Sequence, residues 1–528
     1  MILKRLVHPL FISILFSSIT TICFFKTRSF ELEKYYFNSD CLYIESVYLD
    51  FFFSKTSIDG WSFNAAPNIF PDFIIYSFLR LFVSDFRLAY LIFSVLQYTL
   101  IALLVYYMLN LISRKNIISS IIAFSSLLIP HLILITFNDF SFFFQFVSIS
   151  YHLGALVNTL LFFILLVQFR PSSLFHNFLM SLLLILAPFS DRLFLVLAII
   201  PFLLVYLFTF KQRTKKSNVI ALYSLASILL TILSISYFQN TTPRIEKPYK
   251  VLSLIDIQDS LAVFMDHMQI LFSLHYSTSI FIIVLFASLF IALYQVLIFF
   301  LKQYHSKTNN IIGYKKIIIF LIAISGLLGL IAPIINGSYS GFDCIRYSIP
   351  SFVILQLGLS LFVSEKIKQP LFSPEVKYYG LFYFITILFI SFIFLNSSKQ
   401  EITTFKPQEA KELDSLAQIY KLHNGVAGYW SAKKNQYFSS SKLNILPILD
   451  SRGIYWHANN KNWYFSEENQ NNKQFDFVIV TSEIDTTVLF QHLPLSRRIV
   501  TSKSFKLVLT EPFTFNKDTE IIEANNEN

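Results

Sequence analysis

Apolar runs of about 20 residues recur along the chain as far as residue 397, and each is long enough to cross a bilayer core of about 30 Å. Short charged interruptions separate them. The pattern predicts eleven spans, near residues 7 to 25, 88 to 112, 117 to 137, 151 to 169, 174 to 189, 193 to 210, 219 to 239, 280 to 301, 317 to 336, 350 to 364 and 379 to 397. Lys4 and Arg5 precede the first run, but no small-residue cleavage site follows it, so it reads as a span and not as a signal peptide. Beyond residue 398 the period changes. Pro407 to Tyr420 places Leu413, Leu416, Ala417 and Tyr420 on one helical face, and strand-like runs follow at 425 to 430, 443 to 449, 475 to 481 and 504 to 510. Phe475, Phe477 and Ile479 predict a buried central strand. The fold class expected is a polytopic α-helical membrane protein of about 11 spans (residues 1 to 397) followed by a small α/β C-terminal domain (398 to 528).

Composition agrees: 55% of residues are hydrophobic and 14% charged, where a soluble globule carries about a quarter charged. The net charge of +10 belongs to the part before residue 398, because the tail holds 15 basic and 15 acidic side chains. Arg114, Lys115, Lys211, Arg213, Lys215, Lys216, Lys315 and Lys316 fall in alternate loops, where the acids are Glu365 and Glu375. By the positive-inside rule the N-terminus is then inside, and an odd number of spans leaves the C-terminus outside. The basic balance therefore predicts membrane lipids as partners and no nucleic acid. Three cysteines, Cys23, Cys41 and Cys344, are too few and too dispersed for a disulfide framework or a Cys-based zinc site.

Two outer loops are long, residues 26 to 87 and 240 to 279. In the first, Asn38 and Ser39 suit a helix start, Asp40 sits in the first turn, and residues 42 to 53 predict an amphipathic interfacial helix. Asp72 leads into a second apolar run, Phe73 to Val83, too brief to span. Other ionisable groups stand at span ends: Asp139, His152, the adjacent Asp191 and Arg192, and Arg346-Tyr347 just after Asp343. Such groups cost a few kcal/mol at that depth unless paired or hydrated, so a shared site is the working hypothesis. Each has a plainer alternative: a cap for Asp40, a hydrated turn for Asp191-Arg192, a span-end hydrogen bond for His152, snorkelling for Arg346. Cys41 and Cys344 follow Asp40 and Asp343, and would lie close if both carboxylates lined one cavity.

An N-inside first span, a long first outer loop with an Asp near its start, and the stretch Pro71-Asp72-Phe73 to Arg87-Leu88-Ala89 resemble the GT-C membrane glycosyltransferases. The likeness is to the branch that contains the protein O-mannosyltransferases and the lipid A aminoarabinose transferase; Arg346-Tyr347 with Pro350 is similar to a late Arg-Tyr-x-x-Pro pattern of such chains. The resemblance implies inverting transfer of a sugar from a polyprenyl-phosphate donor to a glycan, lipid or protein acceptor outside a bacterial inner membrane, with the tail in the periplasm. It implies Asp40 as general base, with Arg346, Tyr347, Asp139, Asp191, Arg192, His152 and Asp72 binding substrate. A lipid phosphate is already a good leaving group, so no cofactor is called for, and a divalent metal is possible but not required. Other classes remain open: a transporter or flippase, against which the lack of an internal repeat and only 12 Gly argue; an O-antigen ligase or polymerase; or a structural membrane protein.

Overall fold

The computed structural model describes residues 21, 32–54, 56–113, 148–209, 214–239, 241, 243–245, 253–274, 276–305, 314–337, 339–366, 404–465 and 473–524. In chain order its α-helices are α1 (Ser39–Phe52), α2 (Ile74–Arg80), α3 (Phe86–Ser113), α4 (Leu153–Gln168), α5 (Leu174–Ser190), α6 (Ile200–Phe208), α7 (Lys215–Gln239), α8 (Leu254–Leu274), α9 (Tyr276–His305), α10 (Tyr314–Ile335), α11 (Ile349–Lys366), α12 (Gln408–Tyr420), α13 (Tyr429–Phe438) and α14 (Thr486–His492). The strands are β1 (Trp61–Phe63), β2 (Arg244–Ile245), β3 (Asn424–Ala427), β4 (Asn444–Leu449), β5 (Gly453–Ile454), β6 (Asn459–Asn460), β7 (Phe475–Val480), β8 (Arg497–Thr501), β9 (Lys506–Phe515) and β10 (Ile522–Ala524).

The chain forms two compact units. The helical unit takes residues Met1–Ser29, Ala66–Ile235 and Pro248–Lys399. Among the described residues, four helices are long and apolar enough to cross a membrane: Phe86–Ile112, Lys215–Gln239, Phe281–Leu301 and Lys315–Ile335. They coincide with four of the expected spans. Four more expected spans are shorter apolar helices, Leu153–Gln168, Leu174–Ser190, Leu195–Phe208 and Ile349–Ser364, and the spans at 7 to 25, 117 to 137 and 379 to 397 fall outside the described residues apart from Thr21. The third of these shorter helices opens on a π-turn at Leu195–Ile199. Helix α8 arises inside the stretch taken as an outer loop, its start capped by Ser253 and Asp256, which bond each other's side chain and backbone. Glycine lets two helices approach closely: a Cβ at Gly326 would stand 2.7 Å from the Leu355 side chain, which places α10 directly against α11.

The second unit joins Phe30–Ala65 and Ser236–Lys247 to Gln400–Asn528. Its main sheet has seven strands in the order β10-β9-β7-β3-β4-β5, with β8 pairing β9. The centre is parallel, β3 lying between β4 and β7, and the edges are antiparallel. Alternation along β7 explains why both faces are covered. Phe477 and Ile479 pack with Leu413 and Ala417 of α12 and Ala432 of α13, while Val478 and Val480 pack with Leu489 of α14 on the other side. The expected strand at 425 to 430 stops at Ala427, and Tyr429 opens α13 instead, with Gly428 between them.

A second, three-stranded sheet explains why the unit is spliced from three stretches of chain. β1 pairs in parallel with β2 and antiparallel with β6. Helix α1 begins as the sequence suggests, Asn38 accepting the Cys41 amide at 3.0 Å. It is not, however, a half-buried interfacial helix. Leu42 to Tyr48 and Asp50 are buried, and only its end, Phe51 to Phe53, is exposed, because the unit's own side chains surround it. Neither Cys41, buried in the packing of α1, nor Cys344 is in a disulfide, so the bridge contemplated from their sequence positions is not formed.

Candidate functional site

In the helical unit, the segment between β1 and α2 is fixed by three hydrogen bonds. Asn68 N–H donates to the Ser190 carbonyl (3.0 Å), Phe70 N–H to Ser190 Oγ (2.8 Å), and Asn158 Nδ2 to the Phe70 carbonyl (3.1 Å). Their effect is to carry Asp72 inside, against the start of α4. Asp72 is 1% exposed, and among the described residues neither carboxylate oxygen has a hydrogen-bond partner. A Cβ at Gly154 would stand 2.9 Å from both oxygens, so glycine is what leaves room for them. Burial, and then the neighbouring Asp191 carboxylate, push the Asp72 carboxyl up to about 8, so at neutral pH it holds its proton.

Asp191 ends α5. Its Oδ1 accepts the Leu193 amide (2.9 Å), which starts the next helical segment, and its Oδ2 lies 2.7 Å from His152 Nδ1. Both side chains are nearly buried. His152 precedes α4 with φ +64°, a left-handed backbone that a histidine adopts at a cost, and strain of this kind concentrates at working sites. A carboxylate at Asp191 accepts the Nδ1 hydrogen, and in the neutral imidazole this leaves Nε2 as the accepting nitrogen. The imidazole packs on the Tyr347 ring (4.9 Å between centroids), and Arg346 lies over Tyr347 at 5.3 Å and over Tyr151 at 5.7 Å. Arg192, half-buried, follows Asp191 in the same turn.

The structure thus gathers Asp72, His152, Asp191, Arg346 and Tyr347, with Arg192 adjoining, from segments up to 275 residues apart (Asp72 to Tyr347). Asp139 lies outside the described residues. Asp40 belongs to the other unit. There Tyr429 Oη donates to Asp40 Oδ1 at 2.8 Å, His457 Nε2 stands 4.0 Å from the same oxygen, and Ser39 Oγ donates to the Tyr429 carbonyl at 2.6 Å. Beneath them Lys433 is 1% exposed, donating to the Ala458 carbonyl, with its ammonium 5.8 Å from the Tyr429 ring. No local signal marks Lys433, one of two adjacent lysines, or Tyr151, an aromatic at a span end.

Burial lowers the Lys433 ammonium to about 7, although Asp40 and Asp50 pull it the other way. The unfolded chain, with an ordinary lysine near 10.5, therefore holds one more proton between pH 7 and 10.5, and stability rises with pH across that window. The expected slope is up to about 1.4 kcal/mol per pH unit. All four tryptophans, Trp61, Trp430, Trp456 and Trp463, lie in this unit. Denaturation of the whole protein followed by tryptophan emission should show that rise, and the Lys433→Met protein should lose it; equal slopes in the two would contradict the assignment.

No protein-family model and no curated protein matches the chain.

Proposed function

We propose that this chain is a membrane glycosyltransferase that moves a sugar from a polyprenyl-phosphate donor to an acceptor on the outer face of the membrane, with inversion at the anomeric carbon. The observation that carries the reading is the hydrogen-bonded His152–Asp191 pair beside the Arg346–Tyr347 corner. It puts an oriented base and a cation in one place, as this reaction needs. The acceptor oxygen bonds to the anomeric carbon as the carbon–phosphate-oxygen bond breaks, the acceptor proton passes to His152 Nε2, and the carrier phosphate, held by Arg346 alike before and during the step, leaves with the electron pair. Asp191 steadies the imidazolium. This moves the base from Asp40, the first choice on sequence grounds, to a residue that shares its unit with Arg346. Eleven spans, an inside N-terminus, an outside C-terminus and a bacterial inner-membrane location complete the proposal, resting on the charge pattern of the loops.

The test is turnover. Purified protein in liposomes, supplied with a radiolabelled polyprenyl-phosphate sugar and acceptor membranes, should release polyprenyl phosphate and label the acceptor. Donor moved intact across the bilayer would instead make the protein a flippase. Arg346→Lys keeps a charge but loses the planar fork, so the donor KM should rise about tenfold with little change in kcat. A drop in kcat alone would place Arg346 elsewhere in the mechanism.

A further inference from the structure

We propose that strand β8 is a docking edge, at which an extended acidic segment of another protein adds a strand to the tail sheet. Among the described residues β8 lies against β9 on one side and has no strand on the other. The far ends of the sheet are not open in this way, because β5 and β10 meet: Ile454 N–H donates to the Glu520 carbonyl and Ile522 N–H to the Arg452 carbonyl, both at 2.9 Å. The hairpin register identifies the backbone groups left over on β8. Ser502 N–H donates to the Phe505 carbonyl (2.9 Å), and in an antiparallel ladder bonded pairs alternate with unbonded ones. Arg498 and Val500 therefore turn their backbone groups to β9. The N–H and C=O groups of Arg497, Ile499 and Thr501 point away from it, a row that an extended chain can pair with.

The side chains leave this row open and give it charge. Arg497 lies over the Phe490 ring of α14 (4.2 Å) and donates from Nη1 to the Phe490 carbonyl (3.2 Å), while Arg498 lies over the Tyr420 ring of α12 (5.5 Å). The two guanidinium groups thus flank the edge on opposite faces of the sheet instead of folding across it. Ile499 is 50% exposed and Leu495 93%. From Leu495 to Lys506 the sequence has four cations, Arg497, Arg498, Lys503 and Lys506, and no acid. Glu412 reaches the hairpin but is engaged by Ser502 Oγ and the Ser504 amide, and Glu511 stands past the stretch of β9 that β8 pairs. A partner strand with acids on either side of an apolar residue would set the apolar one against Ile499 and the acids against the arginines. A second copy of β8 fits poorly, since it would line one seam with arginines from both chains. A bilayer would meet the cations of one face and leave the outward backbone groups unpaired.

The full-length protein, in nanodiscs of zwitterionic lipid, is titrated into a panel of short fluorescein-labelled peptides in which glutamates are spaced variously among valines and threonines, and binding is read by anisotropy. At least one peptide should bind. Ile499→Pro removes an outward N–H and no ladder bond, so the sheet should survive, as circular dichroism checks, while affinity falls about tenfold or more. N-methylating alternate residues of the bound peptide should have the same effect. The joint Arg497→Glu, Arg498→Glu protein should release the acidic peptides and take up a panel with lysine in place of glutamate. Failure of every acidic peptide would overturn the proposal, as would undiminished binding both by Ile499→Pro and of the N-methylated peptide, which would leave charge attraction alone. A wild-type dimer that Ile499→Pro dissociates would give the edge to a second copy instead. Uptake of phosphatidylglycerol vesicles by wild type and Ile499→Pro alike, with no peptide bound, would give it to lipid.

Discussion

Exchanging Asp191 for Asn lowers kcat for sugar transfer by about 10²- to 10⁴-fold at saturating donor, the range that a positioned general base contributes. The substitution changes little in shape. An asparagine oxygen can still accept the Leu193 amide that starts the following helical segment, so the fold should survive, as circular dichroism and gel filtration would verify. What changes is the proton on His152. An amide N–H placed 2.7 Å from Nδ1 forces that nitrogen to accept, which moves the imidazole hydrogen to Nε2, the position that has to take the acceptor proton. The loss therefore falls on the chemical step and leaves donor KM nearly unchanged. Asp40→Asn separates the two candidate bases. If Asp40 were the base, that change would give the large loss and Asp191→Asn would be almost silent.

Local pattern was enough for the long helices and for the strands at the centre of the tail sheet, though not for their parallel pairing. The spans at 88 to 112 and 280 to 301 are uninterrupted apolar runs, and β7 alternates Phe477, Val478 and Ile479 between two covered faces. What sequence could not supply is how distant pieces combine. β1 and β2 have three and two residues, too few to display a period, and their partners lie up to 400 positions along the chain. Helix α1 carries the aromatic run Phe51 to Phe53 that suggested a membrane surface, yet its burial depends on residues of the tail that no local window contains. Helix α8 was hidden by Asp256, Asp259 and Asp266, which break the apolar run expected of a span. His152 and Asp191 were legible because buried charge at span ends is unusual. Their pairing was not, since it depends on a strained backbone at His152. The surroundings of Asp40 were equally hidden, because Tyr429 comes 389 residues later.

Truncating Asp50 to alanine destabilises the tail-containing unit by about 3 to 5 kcal/mol, the largest stability effect expected of a single side chain in this unit. Asp50 is buried on α1 and ties that helix to Trp61 and to the segment Asn460–Trp463 of the tail. Its Oδ2 accepts Trp61 Nε1 (2.9 Å), Trp463 Nε1 (2.9 Å) and Asn460 Nδ2 (2.8 Å). Burial pushes the carboxyl above its ordinary range, and these donors recover only part of the difference, which is why the group contributes mainly by satisfying its neighbours. Remove it and the buried Trp61 indole N–H and Asn460 amide lose an acceptor in the interior, each costing about 1 to 3 kcal/mol, and the half-buried Trp463 indole loses one as well. Trp61→Phe is the informative contrast, because it deletes one donor together with its need for an acceptor and keeps a ring against Trp463. It should cost clearly less. Since every tryptophan belongs to this unit, urea unfolding of the whole protein followed by emission reports it without interference from the helical unit. An Asp50→Ala midpoint within about 1 kcal/mol of wild type would mean that water replaces the carboxylate, and that α1 is held to the tail by its apolar contacts instead.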